Sequence, residues 1–136
     1  MEVSIMERMN NKGFTLVEIM IVVAIIALLA AIAIPNLLRA KMSANDALAT
    51  ATLKSLSTAS ETYGTTNSGN YPDGMDSMTT ATPPYISVDY CSSTLSGYTY
   101  TCTQTTSVYT FMATPVNIGT SGSTVYTITT GGVLTP

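Results

Sequence analysis

The chain contains no histidine and no tryptophan, and only two cysteines. Two cysteines without histidine make a poor donor set for zinc, so a zinc site is not expected. There is no Cys-His pair, and the abundant serines and threonines have no recognisable base beside them. Phosphate-loop, dinucleotide and zinc signatures are absent as well, so neither an enzyme nor a cofactor nor a metal is expected. Charge is also scarce, at 10% of residues. The five basic residues are Arg8, Lys12, Arg39, Lys41 and Lys54, and nothing beyond position 54 is basic. Such a distal half lacks the electrostatic footprint of a nucleic-acid binder. It is rich in Thr, Ser, Tyr and Gly but poor in Leu and Ile, so any core it builds is small.

What the chain does have is one long apolar run, residues 19–34, led by Lys12-Gly13-Phe14-Thr15-Leu16-Val17-Glu18. As a helix, residues 14–34 would span about 32 Å, close to a hydrocarbon core of about 30 Å. A secretory signal peptide fits poorly, because its apolar part runs roughly 7–15 residues and ends at a small-x-small site. A plain anchor fits the length but leaves Glu18 without a reason. A carboxylate at the centre of a membrane helix costs roughly 2.5–3.5 kcal/mol, and less near one end. Glu18 therefore either reaches the interface or favours the helix N-terminus, or it takes a partner cation. No Lys or Arg lies within the run. A chain cut before Phe14 would supply an α-amino group, its own or a neighbour's.

Lys-Gly-Phe-Thr-Leu-Val-Glu followed by an aliphatic helix resembles the N-terminus of type IV pilins and the related pseudopilins of type II secretion. The likeness covers residues 12–54, and Pro35 stands where that family commonly has a proline. The resemblance implies a leader, residues 1–13, cut by a prepilin peptidase between Gly13 and Phe14, with N-methylation of Phe14. It also implies that Glu18 pairs with the terminal amine of an adjacent subunit as a filament assembles. Met1, Met6 and Met9 are alternative starts for the leader, the last leaving the short form typical of the family.

The expected fold class is α+β, a long N-terminal helix packed on a small antiparallel sheet. Residues 14–35 form the membrane and filament-core helix, and Pro35 kinks it by removing a backbone donor. Residues 36–63 continue it amphipathically, with Met42, Ala49, Leu53, Leu56 and Tyr63 on one stripe and Gly64 as the stop. Residues 64–84 are a turn-rich loop. Its Asp73 and Asp76 fall short of the six or more oxygens of a calcium site. Residues 85–136 form the head, with a weak strand at 85–90 and further strands at 98–103, 108–113 and 124–130, three or four in all. In a Thr/Ser-rich exported segment, Cys91 and Cys102 are expected to form a disulfide, worth roughly 3 kcal/mol for so short a loop.

The function expected is a structural subunit of a bacterial type IV pilus. It is stored in the inner membrane as a prepilin and then polymerised by the pilus machinery into an extracellular homo-oligomeric filament. The alternatives are a type II secretion pseudopilin, or a membrane-anchored periplasmic binding module that never polymerises.

Overall fold

The computed structural model describes residues 13–136; residues 1–12 of the expected leader, with Arg8, Lys12 and the three candidate start methionines, lie outside the described residues. The chain forms two compact units, one ending at Asn36 and one spanning Leu37–Pro136. One helix, α1 (Leu16–Thr66), contributes to both. It is followed by a short helix α2 (Met75–Thr79) and five strands: β1 (Thr94–Leu95), β2 (Tyr98–Gln104), β3 (Tyr109–Pro115), β4 (Tyr126–Thr129) and β5 (Val133–Thr135). The strands form one antiparallel sheet in sequence order.

In the second unit α1 and the sheet share one core. Ala49, Leu53 and Leu56 of α1 cluster with Tyr98 and Tyr100 of β2, Tyr109, Phe111 and Ala113 of β3, Ile128 of β4, and Met75 and Met78 of α2. The alternation of Tyr and Thr along β2 produces this arrangement, since residues two apart share a face. Of the expected stripe on α1, Ala49, Leu53 and Leu56 are buried, and Met42 and Tyr63 are half-buried. Thr52, Ser57 and Ser60 are buried beside them. The hydroxyls of Thr52 and Ser60 donate back to the carbonyls of Leu48 and Leu56. That bond lets a small polar residue enter the core without an unmet donor.

Two carboxylates on α1 fasten the sheet at separate points. Asp46 Oδ1 accepts from the Tyr98 hydroxyl at 2.7 Å and from the Ser123 amide at 3.0 Å, while Oδ2 accepts from the Ser123 hydroxyl at 2.5 Å. Beside it, Asn45 Nδ2 donates to the Ser121 carbonyl at 2.7 Å. Glu61 Oε1 accepts from the Tyr109 hydroxyl at 2.7 Å and the Gly131 amide at 2.9 Å, and Oε2 accepts from the Tyr71 hydroxyl at 3.0 Å. Asp46 thus holds the β3–β4 connection, and Glu61 holds the β4–β5 turn. Gly122 belongs to the first fastening, since a Cβ there would lie 2.3 Å from the Tyr98 hydroxyl oxygen.

Several expectations need correction. Gly64 does not end the helix, which runs to Thr66; Gly64 is buried because a side chain there would press on the Tyr71 ring. The chain leaves the helix through Ser68 and Gly69, both at positive φ, and the Gly69 amide donates to the Gly64 carbonyl at 2.8 Å. The 64–84 segment is not wholly loop, since it contains α2. Residues 85–90 form no strand. The Tyr85 amide is taken by the Met78 carbonyl, and the Asp89 side chain turns the backbone by accepting from the Cys91 amide. The first strand is instead β1, and β5 at Val133–Thr135 adds one strand beyond those expected, for five in all. Cys91 and Cys102 form the expected disulfide, tying the segment before β1 to β2.

Burial raises the carboxyl pKa of Asp46 and of Glu61. The hydrogen bonds from Ser123 and Tyr98 on one, and from Tyr109, Gly131 and Tyr71 on the other, outweigh it and hold both below their ordinary values. Burial and the Glu61 contact push the Tyr109 hydroxyl up to about 12, so it remains a donor at all moderate pH. A carboxyl depressed in the folded state contributes stability above its unfolded pKa, about 3.9 for Asp and 4.3 for Glu, and that stability is lost as pH falls through the folded value. The urea midpoint of the head is therefore expected to hold steady from about pH 7 to 5 and to fall below about pH 4. In Glu61→Gln the acid-dependent fall should be smaller; an unchanged fall would mean that Glu61 does not sense pH.

Candidate assembly segment

The first unit is built from a helix start and an apolar surface. Gly13, Phe14 and Thr15 precede the helix, and α1 begins at Leu16. Thr15 and Glu18 close this start on each other. The Glu18 amide donates to Thr15 Oγ1 at 3.2 Å, and the Thr15 amide and hydroxyl both donate to Glu18 Oε2 at 2.7 Å. The Ile19 amide meets the Thr15 carbonyl at 3.3 Å. This is a capping box, in which a Thr at the N-cap and a Glu three residues on satisfy each other's backbone donors. It also places a carboxylate at the positive end of the helix dipole.

Thr15 is the residue that sequence reasoning missed. The signal was present, since Thr-x-x-Glu immediately before an apolar run marks a helix N-terminus. An acid at membrane depth accounts for Glu18 by charge alone, and its three-residue spacing from Thr15 adds the cap. Among the described residues both Thr15 bonds fall on Oε2, and Oε1 receives none.

Beyond Glu18, from Ile19 to Ile34, the helix is apolar on all faces. It holds an 18-residue window with a mean hydropathy of 3.0, none of it buried. Phe14 is 85% exposed, and Leu16, Ile21, Ile26, Leu29 and Ile34 are exposed with it. A helix this long and apolar meets the length and composition of a membrane span. Pro35 lies inside α1, next to the end of this unit. It has no N–H to offer the carbonyl four residues back.

Of the expected site residues, Gly13, Phe14 and Glu18 are gathered within this one helix start, with Gly13 and Phe14 outside the helix and exposed. Cys91 and Cys102 belong to the other unit. Thr15→Val should remove the box while keeping the side-chain shape. At a capping cost of about 0.5–2 kcal/mol, the amides of residues 16–19 should exchange with deuterium roughly two- to thirtyfold faster in detergent micelles, with exchange in the sheet unchanged. Equal rates at residues 16–19 would show that the box does not hold the helix start.

The motif described as the prokaryotic N-terminal methylation motif matches residues 8–34. The type IV wide pilus major component PilA4 of Thermus thermophilus is 36% identical over 110 residues, covering 78% of this chain and 83% of that protein. The type IV major pilin protein PilA of Myxococcus xanthus is 51% identical over 54 residues, 40% of this chain but only 24% of its own length. The type II secretion system core protein G of Aeromonas hydrophila is 33% identical over 76 residues, 54% of this chain and 52% of that protein. No solved structure matches. With the N-terminal motif, the helix-and-sheet fold and likeness over most of a pilus subunit's length, the chain belongs to the type IV pilin family.

Proposed function

We propose that this chain is the structural subunit of a type IV pilus. It is held in the inner membrane by residues 14–34, cut between Gly13 and Phe14 by a prepilin peptidase, N-methylated at Phe14, and polymerised through the first part of α1 into an extracellular filament. The carrying observation is an apolar helical surface that nothing in its own unit covers, with one carboxylate at its start. That surface suits lipid first and the helices of neighbouring copies afterwards.

Glu18 supplies the register. Its Oε2 stays with Thr15, and its Oε1 is open to the α-amino group of a neighbour. Before the cut, the Phe14 nitrogen is an amide with no charge to offer. After it, the amine is a cation, and Glu18 gains its partner only where two copies meet at the right axial offset. In surroundings of low dielectric, an unpaired carboxylate is costly and a well-placed pair is much less so. Pro35 loosens the helix next to the span. The exposed peptide at Gly13–Phe14, outside the helix, is the form a protease can take up as an extended strand.

The second reading is a type II secretion pseudopilin, favoured by the likeness to core protein G over about half of each chain. The pilus reading is preferred because 83% of the Thermus pilus subunit is covered, against 52% of the secretion protein. Neither set of relatives is enzymatic by its printed description, and structural assembly is the activity proposed.

Three measurements test this. Electron microscopy of sheared surface filaments, with their main subunit identified, should find long filaments of this chain. Their subunits should have a mass starting at a methylated Phe14. An intact Gly13–Phe14 bond in mature protein would favour a plain membrane anchor. Glu18→Ala should insert in the membrane normally and lower filament yield by roughly tenfold or more; normal yield would remove Glu18 from the assembly mechanism.

A further inference from the structure

The carboxylates of the second unit fall into two groups. Asp46 and Glu61 are spent inside the fold on hydroxyls and backbone amides. Asp73, Asp76 and Asp89 are exposed, and all three border one open cavity of about 640 Å³ beside the Cys91–Cys102 disulfide. Asp73 holds the Ser77 hydroxyl at 2.9 Å and Asp89 the Cys91 amide, while Asp76 sits in the first turn of α2. The cations of this unit are Arg39, Lys41 and Lys54, all exposed and all on α1.

Lys54 stands at a different opening. It lines an open groove of about 770 Å³ between α1 and the 81–85 segment, with Thr58 and Thr62 along one side and Pro83, Pro84 and Tyr85 along the other. The groove has one cation and no carboxylate in its lining, and the acidic cavity has three carboxylates and no cation in its lining. The two linings share no residue.

We propose that the Lys54 groove is a subunit–subunit docking site and that it receives the Asp73–Asp76 segment, at the start of α2, from a second copy of this chain. Charge complementarity selects that occupant. In a filament made of this chain alone, the cations available to compensate Asp73, Asp76 and Asp89 are those of α1, because no basic residue follows Lys54. Two non-overlapping patches of opposite sign make a heterologous contact, in which each copy offers its groove to one neighbour and its acidic face to another. Such contacts propagate instead of closing into a dimer, which a filament requires. The Thr58 hydroxyl and the Tyr85 ring give the groove a donor and an apolar wall, so a carboxylate entering it is partly shielded from water and its pairing is less screened by salt.

This proposal rests on the filament reading, and the experiment separates the two. Filament yield is measured for the wild-type chain, for Lys54→Glu, for Asp76→Lys and for the double variant. Position 76 is chosen because its side chain is exposed and reversing it leaves the Ser77–Asp73 bond and the Asp89 turn intact. Each single variant places like charges together and should lower yield by roughly tenfold or more, while the double variant restores the pair and should return to within about threefold of wild type. Urea midpoints of the detergent-extracted chains should be the same in all four, since neither side chain touches the core. A Lys54→Glu chain that assembles at wild-type yield overturns the docking site, and so does a double variant no better than the worse single one. If the wild-type chain forms no filaments at all, the filament reading fails and this inference fails with it.

Discussion

The constraint on which the rest depends is the uncovered apolar surface of residues 14–34. A buried aliphatic side chain contributes about 1.5–3 kcal/mol relative to exposure in water, and the span carries more than a dozen such side chains. The sum exceeds the net stability of an ordinary domain, about 5–15 kcal/mol. No arrangement of the sheet offsets that, so this segment is either in lipid or against other copies. Once in lipid, however, the hydrophobic term no longer favours one helix–helix register over another, because acyl chains are as apolar as the neighbours. What remains to select register is close packing at Ala24, Ala27, Ala30 and Ala31, together with the one charge in the segment, Glu18.

The head shows the opposite economy. With few aliphatic residues, it builds its core from tyrosines, whose rings fill volume; the hydroxyls of Tyr98 and Tyr109 reach acceptors at the core's edge, while that of Tyr100 is buried without a partner among the described residues. Tyr98 and Tyr109 are both fully buried and both end on a carboxylate of α1. The ring supplies apolar burial and the hydroxyl fixes where along the helix each strand lies. A Leu in either place would keep much of the first contribution and lose the second. Ser57, which meets the Tyr109 oxygen at 2.7 Å, completes the set by giving that oxygen a second partner. In so small a sheet, with edge strands of two and three residues, directional bonds of this kind decide which of several slipped pairings is stable.

The helix, its apolar span, the alternating strands β2 and β3, and the disulfide were all legible because each rests on local pattern: run length, period and spacing. The roles of Asp46 and Glu61 were not legible. They depend on partners 52 and 77 positions away for Asp46, and 48 and 70 for Glu61. A charged residue on an otherwise polar helix face looks solvated until the sheet register is known. Gly64 misled for a related reason. A glycine near a helix end reads as a stop, yet here it leaves room for a ring from the returning chain. The 85–90 segment has strand-like alternation, but its first amide is taken by Met78 of α2, and Asp89 turns the backbone just beyond it by accepting from the Cys91 amide. Thr15 is the different case, since its pattern was local and complete. The pull of the acid at membrane depth drew attention to Glu18 alone.

That pairing changes how Glu18 is to be understood. An isolated carboxylate in a membrane helix would be a pure cost until assembly, and selection would favour removing it wherever insertion is slow. A carboxylate that already caps the helix is not isolated, because Thr15 offsets part of its desolvation by donating two hydrogen bonds to it, from its amide and its hydroxyl. The two demands fall on different oxygens. Oε2 serves the fold of the single chain, and Oε1 is left for whatever cation the surroundings provide. On the proposed pairing, a group arranged in this way waits in lipid at modest cost and still discriminates between a neighbour in register and one a turn away. The neighbour's amine would be either within reach of Oε1 or not, whereas the aliphatic surface changes little over the same displacement.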